Sequence, residues 1–344
     1  MKPTLQDMAD VLQLSRSTVS RALAGDPRVA EATRRRAEGL AKQIGYQPNP
    51  MARGLATRRT NVIGLAVPWA PRSLSDPFYL EFLGYAGDTA MKRGYSLLLS
   101  ASEEDGAGAF RSHVELAASA RVDGIILTEP KVVDERIGLL REFDVPFVFL
   151  GMSSTPDVSW VSGNNRAGAE EAVRHLLGRG HTRIGCVTGP PDQTASVGRF
   201  DGYRAALAEA GVALDRNIVA PGDFTQAGGY SAMCEILESG RSITAVYACN
   251  DVMALGAMKA ARESGRQMPM DLSIVGFDGI AMGEYMDPPL TTVRQPIREL
   301  GVAAADILID QIEGRAQGQV HRVMPVALRE GGSTCAVGES HRPR

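Results

Sequence analysis

The sequence predicts an α/β protein in three parts: an all-α helix-turn-helix head, a short linking helix, and a two-lobed body of parallel sheets flanked by helices. Three observations carry this. The first 60 residues combine helical periodicity with a basic charge. Beyond them, short apolar runs alternate with amphipathic segments, as in parallel sheets covered on both faces. The remaining length, roughly 280 residues, exceeds what one such sheet usually takes, so two lobes are expected.

The head is read first. Thr4 can cap a helix, with Asp7 in its first turn near the positive helix end. Leu5, Met8, Ala9 and Leu12 follow at helical spacing, and Gln13-Leu14 makes a tight turn. Ser15 caps a second helix, Arg16 to about Leu23. Val19, Ala22 and Leu23 form its buried face, and Arg16, Ser17, Ser20 and Arg21 its polar one. A third helix is expected over Glu31–Ile44, ended by Gly45. Two short helices joined by a tight turn match the helix-turn-helix plan. Arg16 and Ser17 then stand in the first turn of the helix that meets base edges, where Arg can bind guanine through two hydrogen bonds. Thr4, Thr18 and Thr33 are the small hydroxyl residues that position on phosphates.

Charge points the same way. The net charge is −3. Residues 1–60 hold eleven Lys/Arg and five Asp/Glu, a net of +6, which leaves −9 for the rest. A basic head on an acidic body suits a polyanion partner for the head alone. A solvated helical face is the alternative.

Asn49 caps and Pro50 opens a two-turn linking helix. So short a helix is marginal in water, and Gly54 weakens it further. The alternative is an ordinary linker.

With Thr4-Leu5-Gln6-Asp7-Met8-Ala9, Ser15-Arg16-Ser17-Thr18-Val19-Ser20-Arg21-Ala22-Leu23 and Gly45-Tyr46-Gln47-Pro48-Asn49 on view, the chain resembles the LacI/GalR family of bacterial transcription regulators. The resemblance implies that the linking helix is a hinge helix. Leu55 would wedge into the minor groove at the centre of a palindromic operator and kink it, with Ala52 beside it. Arg16, Ser17 and Arg21 would read the major groove. Thr4, Thr18, Thr33 and Arg28 would contact backbone or neighbouring bases. Ala24 and Ala30 depart from the family's polar residues, and Ala30 is a poor helix cap. The domain bounds expected are 1–47 for the head, 48–60 for hinge helix and linker, and 61–344 for the body. The body would divide into a first lobe of about 61–162 plus 293–322 and a second of about 163–292 plus 323–344.

In the body, the apolar runs are Val62–Pro68, Tyr95–Ser100, Val122–Thr128, Pro146–Gly151, Arg183–Gly189, Ala245–Cys249 and Ser273–Phe277. Helices are expected over Phe78–Arg93, Ala109–Ala120, Arg166–Arg179, Arg199–Ala210, Ala227–Ser239, Asp251–Ser264 and Ile297–Glu313. Ligands of open α/β sheets sit at the carboxyl ends of strands. Four polar clusters stand there, around Asp76-Pro77-Phe78, Arg199, Asn250-Asp251 and Asp278, and Pro289–Pro296 crosses back between lobes. In this order they resemble the periplasmic-binding-protein-like effector domain of the same family. The resemblance implies that Arg199, Asn250 and Asp278 converge on a ligand, with Asp76 and Phe78 contributed by the other lobe and Phe224 covering a ligand face. Trp160 is a further candidate, with a core or rim aromatic as the alternative. For Arg199 and Asp278 the alternative is a salt bridge closing the lobe interface. Arg donates, Asp accepts and Asn does both, which suits the paired hydroxyls of a sugar.

Several classes are disfavoured. No phosphate loop, G-x-G-x-x-G after the first strand, H-E-x-x-H or G-x-S-x-G occurs, so an enzyme is not expected. Cys186, Cys234, Cys249 and Cys335 are too dispersed for a zinc or redox pair, and the five histidines are scattered, so neither metal nor cofactor is expected. No apolar run approaches the roughly 20 residues of a membrane span. The N-terminal segment lacks an apolar stretch, so a cytoplasmic protein is expected.

The function expected is a ligand-responsive, sequence-specific repressor of carbohydrate-utilisation genes, acting as a homodimer on pseudo-palindromic operator DNA. A sugar or glycoside in the cleft would change operator affinity by lobe closure. No leucine heptads follow Gly331, so no tetramerising coil is expected there. The alternatives are a purine- or other metabolite-dependent corepressed regulator and a sugar-binding transport receptor without DNA function.

Overall fold

The computed structural model describes residues 3–46, 59–67, 76–101, 115–116 and 118–338, in two units that meet in sequence at Asn61/Val62. Asn49, Ala52 and Leu55 lie outside the described residues, as does most of the helix expected over 109–120.

Caps set the helices of the first unit. Helix α1 (Leu5–Leu12) starts at Thr4, whose hydroxyl accepts from the Asp7 amide at 3.2 Å while the Asp7 carboxylate accepts from the Thr4 amide at 2.7 Å. This reciprocal box satisfies two free donors and holds the Asp7 carboxyl below its ordinary pKa. Helix α2 (Arg16–Leu23) starts at Ser15, which accepts from the Thr18 amide at 3.1 Å. Helix α3 (Glu31–Ile44) has no side-chain cap at Ala30, and Gly45 closes it in the left-handed conformation, at φ 69°. Met8, Ala9, Leu12, Val19, Ala22, Val29 and Ala37 make the small core between them.

The second unit holds two six-stranded sheets. The first takes β1 (Val62–Val67), β2 (Ser96–Ala101), β3 (Gly124–Thr128), β4 (Phe147–Leu150) and β5 (Ser159–Gly163), with α4 (Pro77–Lys92) and α5 (Arg136–Glu142) between strands. The chain then builds the second from α6 (Asn165–Gly178), β6 (Ile184–Thr188), α7 (Thr194–Glu209), β7 (Val219–Pro221), α8 (Gln226–Glu238), β8 (Ala245–Ala248), α9 (Asp251–Glu263), β9 (Ser273–Asp278) and β10 (Thr291–Arg294). It returns to the first for α10 (Ile297–Ile312) and β11 (His321–Met324), and ends in the second with β12 (Ala327–Arg329). The strand orders are β11-β5-β4-β3-β1-β2 and β12-β10-β9-β8-β6-β7. All pairings are parallel except β12 on β10. The sheets therefore exchange chain after Gly163, Arg294 and Met324, whereas the sequence reading put the exchanges after 162, 292 and 322.

Two further differences have physical causes. Helix α7 begins at Thr194, five residues before the expected Arg199, because nothing after Gln193 breaks it. Strand β5, Ser-Trp-Val-Ser-Gly, is fully buried although it lacks an apolar run. Small hydroxyl side chains fill that interior: the Ser159 hydroxyl accepts from the Val320 amide at 3.1 Å, and the Ser162 hydroxyl donates to the Gly163 carbonyl at 2.8 Å.

Candidate functional site

The strand order of each sheet turns back on itself at β1/β3 and at β6/β8, the switch points where open sheets bind ligands. A cavity lies between the sheets at these carboxyl ends. It is lined by Asp76, Phe78, Arg199, Phe224, Asn250 and Asp278, joined by Tyr79, Glu129, Gln193, Asn165 and Gln295. The space open to the centre of a water molecule is about 70 Å³, and all the space within the opening, open solvent included, about 620 Å³.

Arg199 sits one and a half turns into α7. Its Nε donates to Asn165 Oδ1 at 2.8 Å, Nη1 to the Cys249 carbonyl at 2.5 Å and Nη2 to Asp278 Oδ1 at 3.0 Å. The Phe277 ring centre lies 3.9 Å from the guanidinium and that of Phe224 5.9 Å. Cation–π contact and a divided fork of hydrogen bonds thus fix the plane of the group. Asp278 ends β9 and accepts a second bond, from Gln295 Nε2 at 2.7 Å. Burial pushes its carboxyl up, against the opposing pull of Arg199 and then Gln295. Asn250 caps α9 through the Met253 amide at 2.8 Å and donates from Nδ2 to the Phe224 carbonyl at 3.2 Å. Phe224 itself takes a left-handed φ of 65°, a conformation that needs such support.

From the first lobe, Asp76 caps α4 by accepting from the Phe78 amide at 2.9 Å. Phe78 meets Tyr79 edge-on, and Tyr79 donates to Glu129 Oε1 at 3.0 Å. Glu129 also accepts across the lobes from Gln193 Nε2 at 3.0 Å. The wall thus combines aromatic faces with a guanidinium, carboxylates and amides, the means of orienting a ring that carries hydroxyls.

Trp160 is not part of this wall: the structure drops it as a contact and matches the alternative raised for it, a core aromatic. It lies in a core with Phe149 and Val158, and stacks on His321 at 5.1 Å and 12°. The alternative raised for Arg199 and Asp278 is half met. They do form an ion pair, but both belong to the second lobe, so it closes no interface. The sequence reading gave no contact role to Tyr79, which stands in the Asp76-Pro77-Phe78-Tyr79 cluster, and missed Glu129, Asn165, Gln193 and Gln295. Glu129 directly follows a strand read correctly, and Gln295 lies in the segment read as crossing between lobes.

On the head, Arg16, Ser17, Ser20 and Arg21 are exposed on one side of α2, opposite buried Val19 and Ala22. The Ser15 hydroxyl lies 2.8 Å from those of both Ser17 and Thr18. The Thr4 hydroxyl is engaged within its own capping box, and Thr33 is half-buried in the first turn of α3. Arg28 is held by Asp26 in a two-pronged ion pair, Nη2 to Oδ2 at 2.7 Å and Nε to Oδ1 at 3.0 Å. That pair pulls the Asp26 carboxyl down to about 2. Among the described residues, no three His, Cys, Asp or Glu side chains could share a metal ion, and no helix is long and apolar enough to cross a membrane.

Known proteins share this arrangement. Residues 4–49 match the family described as bacterial regulatory proteins, lacI family, and residues 173–334 match a periplasmic binding protein-like domain. The HTH-type transcriptional regulator CelR of Thermobifida fusca is 36% identical over 96% of this chain and 98% of its own. The repressor CytR of Escherichia coli K12 is 34% identical over 97% of each chain. Among solved structures, a CelR–cellobiose complex covers 96% of this chain and 99% of its own at 34% identity, with a TM-score of 0.76. A lac repressor dimer bound to operator and the anti-inducer ONPF covers 98% and 100% at 29% identity, with a TM-score of 0.85. The chain belongs to the LacI family of bacterial DNA-binding transcriptional regulators, and is not an enzyme.

Proposed function

We propose that this protein is a cytoplasmic, homodimeric repressor whose affinity for a pseudo-palindromic operator is set by a sugar or glycoside in the cleft. One observation carries the ligand reading: residues from four separate turns, Asp76, Arg199, Asn250 and Asp278, line a single cavity with Phe78 and Phe224. CelR, solved with cellobiose, is among the relatives that span nearly the whole chain. The head supports the operator reading through the exposed Arg16, Ser17 and Arg21, spaced on one helix face as base-edge contacts require. Leu55 and Ala52 would fill the central minor groove, with Asn49 capping their helix. The body would report ligand closure to the hinge by rotating one lobe on the other.

The test is selection of bound DNA from a random duplex library at moderate salt, repeated with a sugar panel that includes cellobiose and ribose. The reading expects one palindromic motif, gained or lost when a single sugar is added. No enriched motif under any condition would overturn the operator reading. A motif indifferent to every sugar but sensitive to a nucleoside or purine would replace the sugar.

A further inference from the structure

We propose that Asp251 is the positioning residue of the effector cleft: its carboxyl clamps the turn after β9 and so aims Asp278 at Arg199 and Gln295. This rests on the reading of Asp278 as an effector contact.

Asp251 is fully buried at the first turn of α9, and it is not among the residues lining the cavity. Its Oδ2 accepts from the amides of both Gly279 and Ile280 at 2.8 Å, and its Oδ1 bonds the Thr292 hydroxyl at 2.5 Å. The turn needs such a partner. Asp278 has φ 116° and Gly279 φ 76°, two successive residues in positive-φ conformations. A side chain at Gly279 would come within 2.7 Å of the Arg294 Cα, so β10 presses on the turn from outside. In this conformation the next two amides point the same way and form a small anion-binding concavity. One carboxyl oxygen fills it. A non-glycine residue so strained persists only where its surroundings over-determine it, and here Asp251 does so from below.

The clamp also reaches beyond the cleft. Thr292 belongs to β10, the strand that leaves for the first lobe after Arg294, and Gln295 at that exchange donates its side chain to Asp278. One buried carboxyl therefore contacts both the effector turn and a strand that joins the lobes.

Groups facing Asp251 are the amides of Gly279 and Ile280, the Thr292 hydroxyl, and the Asp278 carboxyl, with Arg199 beyond it. Burial first, and then the charge of Asp278, push the Asp251 carboxyl up to about 8. The Thr292 hydroxyl donates to one carboxyl oxygen and the two amides donate to the other. Asparagine keeps the oxygen that the two amides share and can donate from Nδ2 to the Thr292 hydroxyl once that hydroxyl turns to accept, whereas leucine keeps the volume and loses both contacts.

The experiment compares Asp251→Asn, Asp251→Leu and the milder Thr292→Val in the full-length protein. Titration uses cellobiose and ribose, and each variant is crystallised without sugar. Expected is Asp251→Asn within about threefold of wild type, Asp251→Leu weaker by at least about tenfold, and Thr292→Val between them. Combined with Asp278→Asn, Asp251→Leu should weaken binding no further, because the clamp acts only through Asp278. Additive losses, or Asp251→Leu at wild-type affinity, overturn the role. If neither sugar binds wild type, the sugar-free crystals decide. Loss of the left-handed Asp278 and of its Arg199 contact in Asp251→Leu, with both kept in Asp251→Asn, supports the clamp. An unchanged turn in Asp251→Leu overturns it. Sugar affinity unchanged by Asp278→Asn removes the effector reading itself, and the role with it.

Discussion

Arg199 and Asp278 form a buried ion pair at 3.0 Å within one lobe, each side chain less than a tenth exposed, on the wall of the cavity. A structural salt bridge would sit in the core. This one presents its remaining hydrogen-bonding positions to the cleft, so a ligand hydroxyl can join it without breaking it. Lysine cannot replace the arginine, since it offers a point charge where three acceptors need a planar fork. Arg199→Lys should weaken sugar binding at least tenfold, and lower stability by about 1–3 kcal/mol, through the acceptors left unpaired at Asn165, Cys249 and Asp278. Titration calorimetry and thermal melting check this, and an unchanged affinity would take Arg199 out of the site.

In the head, Asp26 holds Arg28, so an Arg28 that contacts DNA, as proposed, would have to give up that carboxylate. Arg28 is exposed, the Asp26 side chain is largely covered, and a phosphate must displace the carboxylate to use this guanidinium. Asp26→Asn frees Arg28 and removes a negative charge from the basic unit. Operator affinity should rise a few-fold, and the slope of log affinity against log salt should steepen by about one. Because Asp26 is held down to about 2, the wild-type competition persists throughout the working pH range. Equal slopes for the two proteins would mean that Arg28 never reaches phosphate.

Much of this architecture is written locally. Ser15 and Gly45 are cap residues, so the ends of α2 and α3 can be read from them directly, and the alternation of apolar runs exposes two sheets. The misses share a cause: burial that depends on partners distant in sequence. Trp160 looks available until its register against Phe149 and His321 turns the ring into the core. Gln193 becomes a cavity residue only because α7 starts beside it rather than at Arg199. Glu129, a lone carboxylate after a strand, is indistinguishable in sequence from a solvated turn residue until Tyr79 and Gln193 close on it from opposite lobes.

The head and the cleft should fail separately. Leu55 lies outside the described residues, so its role rests on the motif around it. Leu55→Ala should remove the minor-groove wedge and weaken operator binding at least tenfold, since kinking needs the apolar insertion. Sugar affinity should stay unchanged. Loss of sugar binding in this variant would contradict the separation of the two functions.

Acid should loosen the C-terminal segment before the rest. Arg179 can only donate, so His175 Nδ1 accepts from it at 3.0 Å, and the ring must carry its proton on Nε2, which donates to Thr334 at 3.0 Å. His181 has the same tautomer: Nε2 donates to the Cys335 carbonyl and Nδ1 accepts from Thr244, each at 3.0 Å. A second proton would break the Arg179 bond at His175, and at His181 would force the Thr244 hydroxyl to turn from donor to acceptor. Burial is the main cause that lowers both pKa values, and Arg179 adds to it, while Glu330 opposes at His175 and the bond to the Cys335 carbonyl opposes at His181. A histidine lowered in the folded state takes up its proton less readily than in the unfolded chain. Its contribution is therefore complete above the unfolded value of about 6.5 and lost as pH falls below it. Melting temperature should drop by several degrees between pH 7.5 and 5.5, with faster amide exchange over 331–337. His175→Gln and His181→Gln together should flatten that dependence. A slope that survives both substitutions would assign it to other groups.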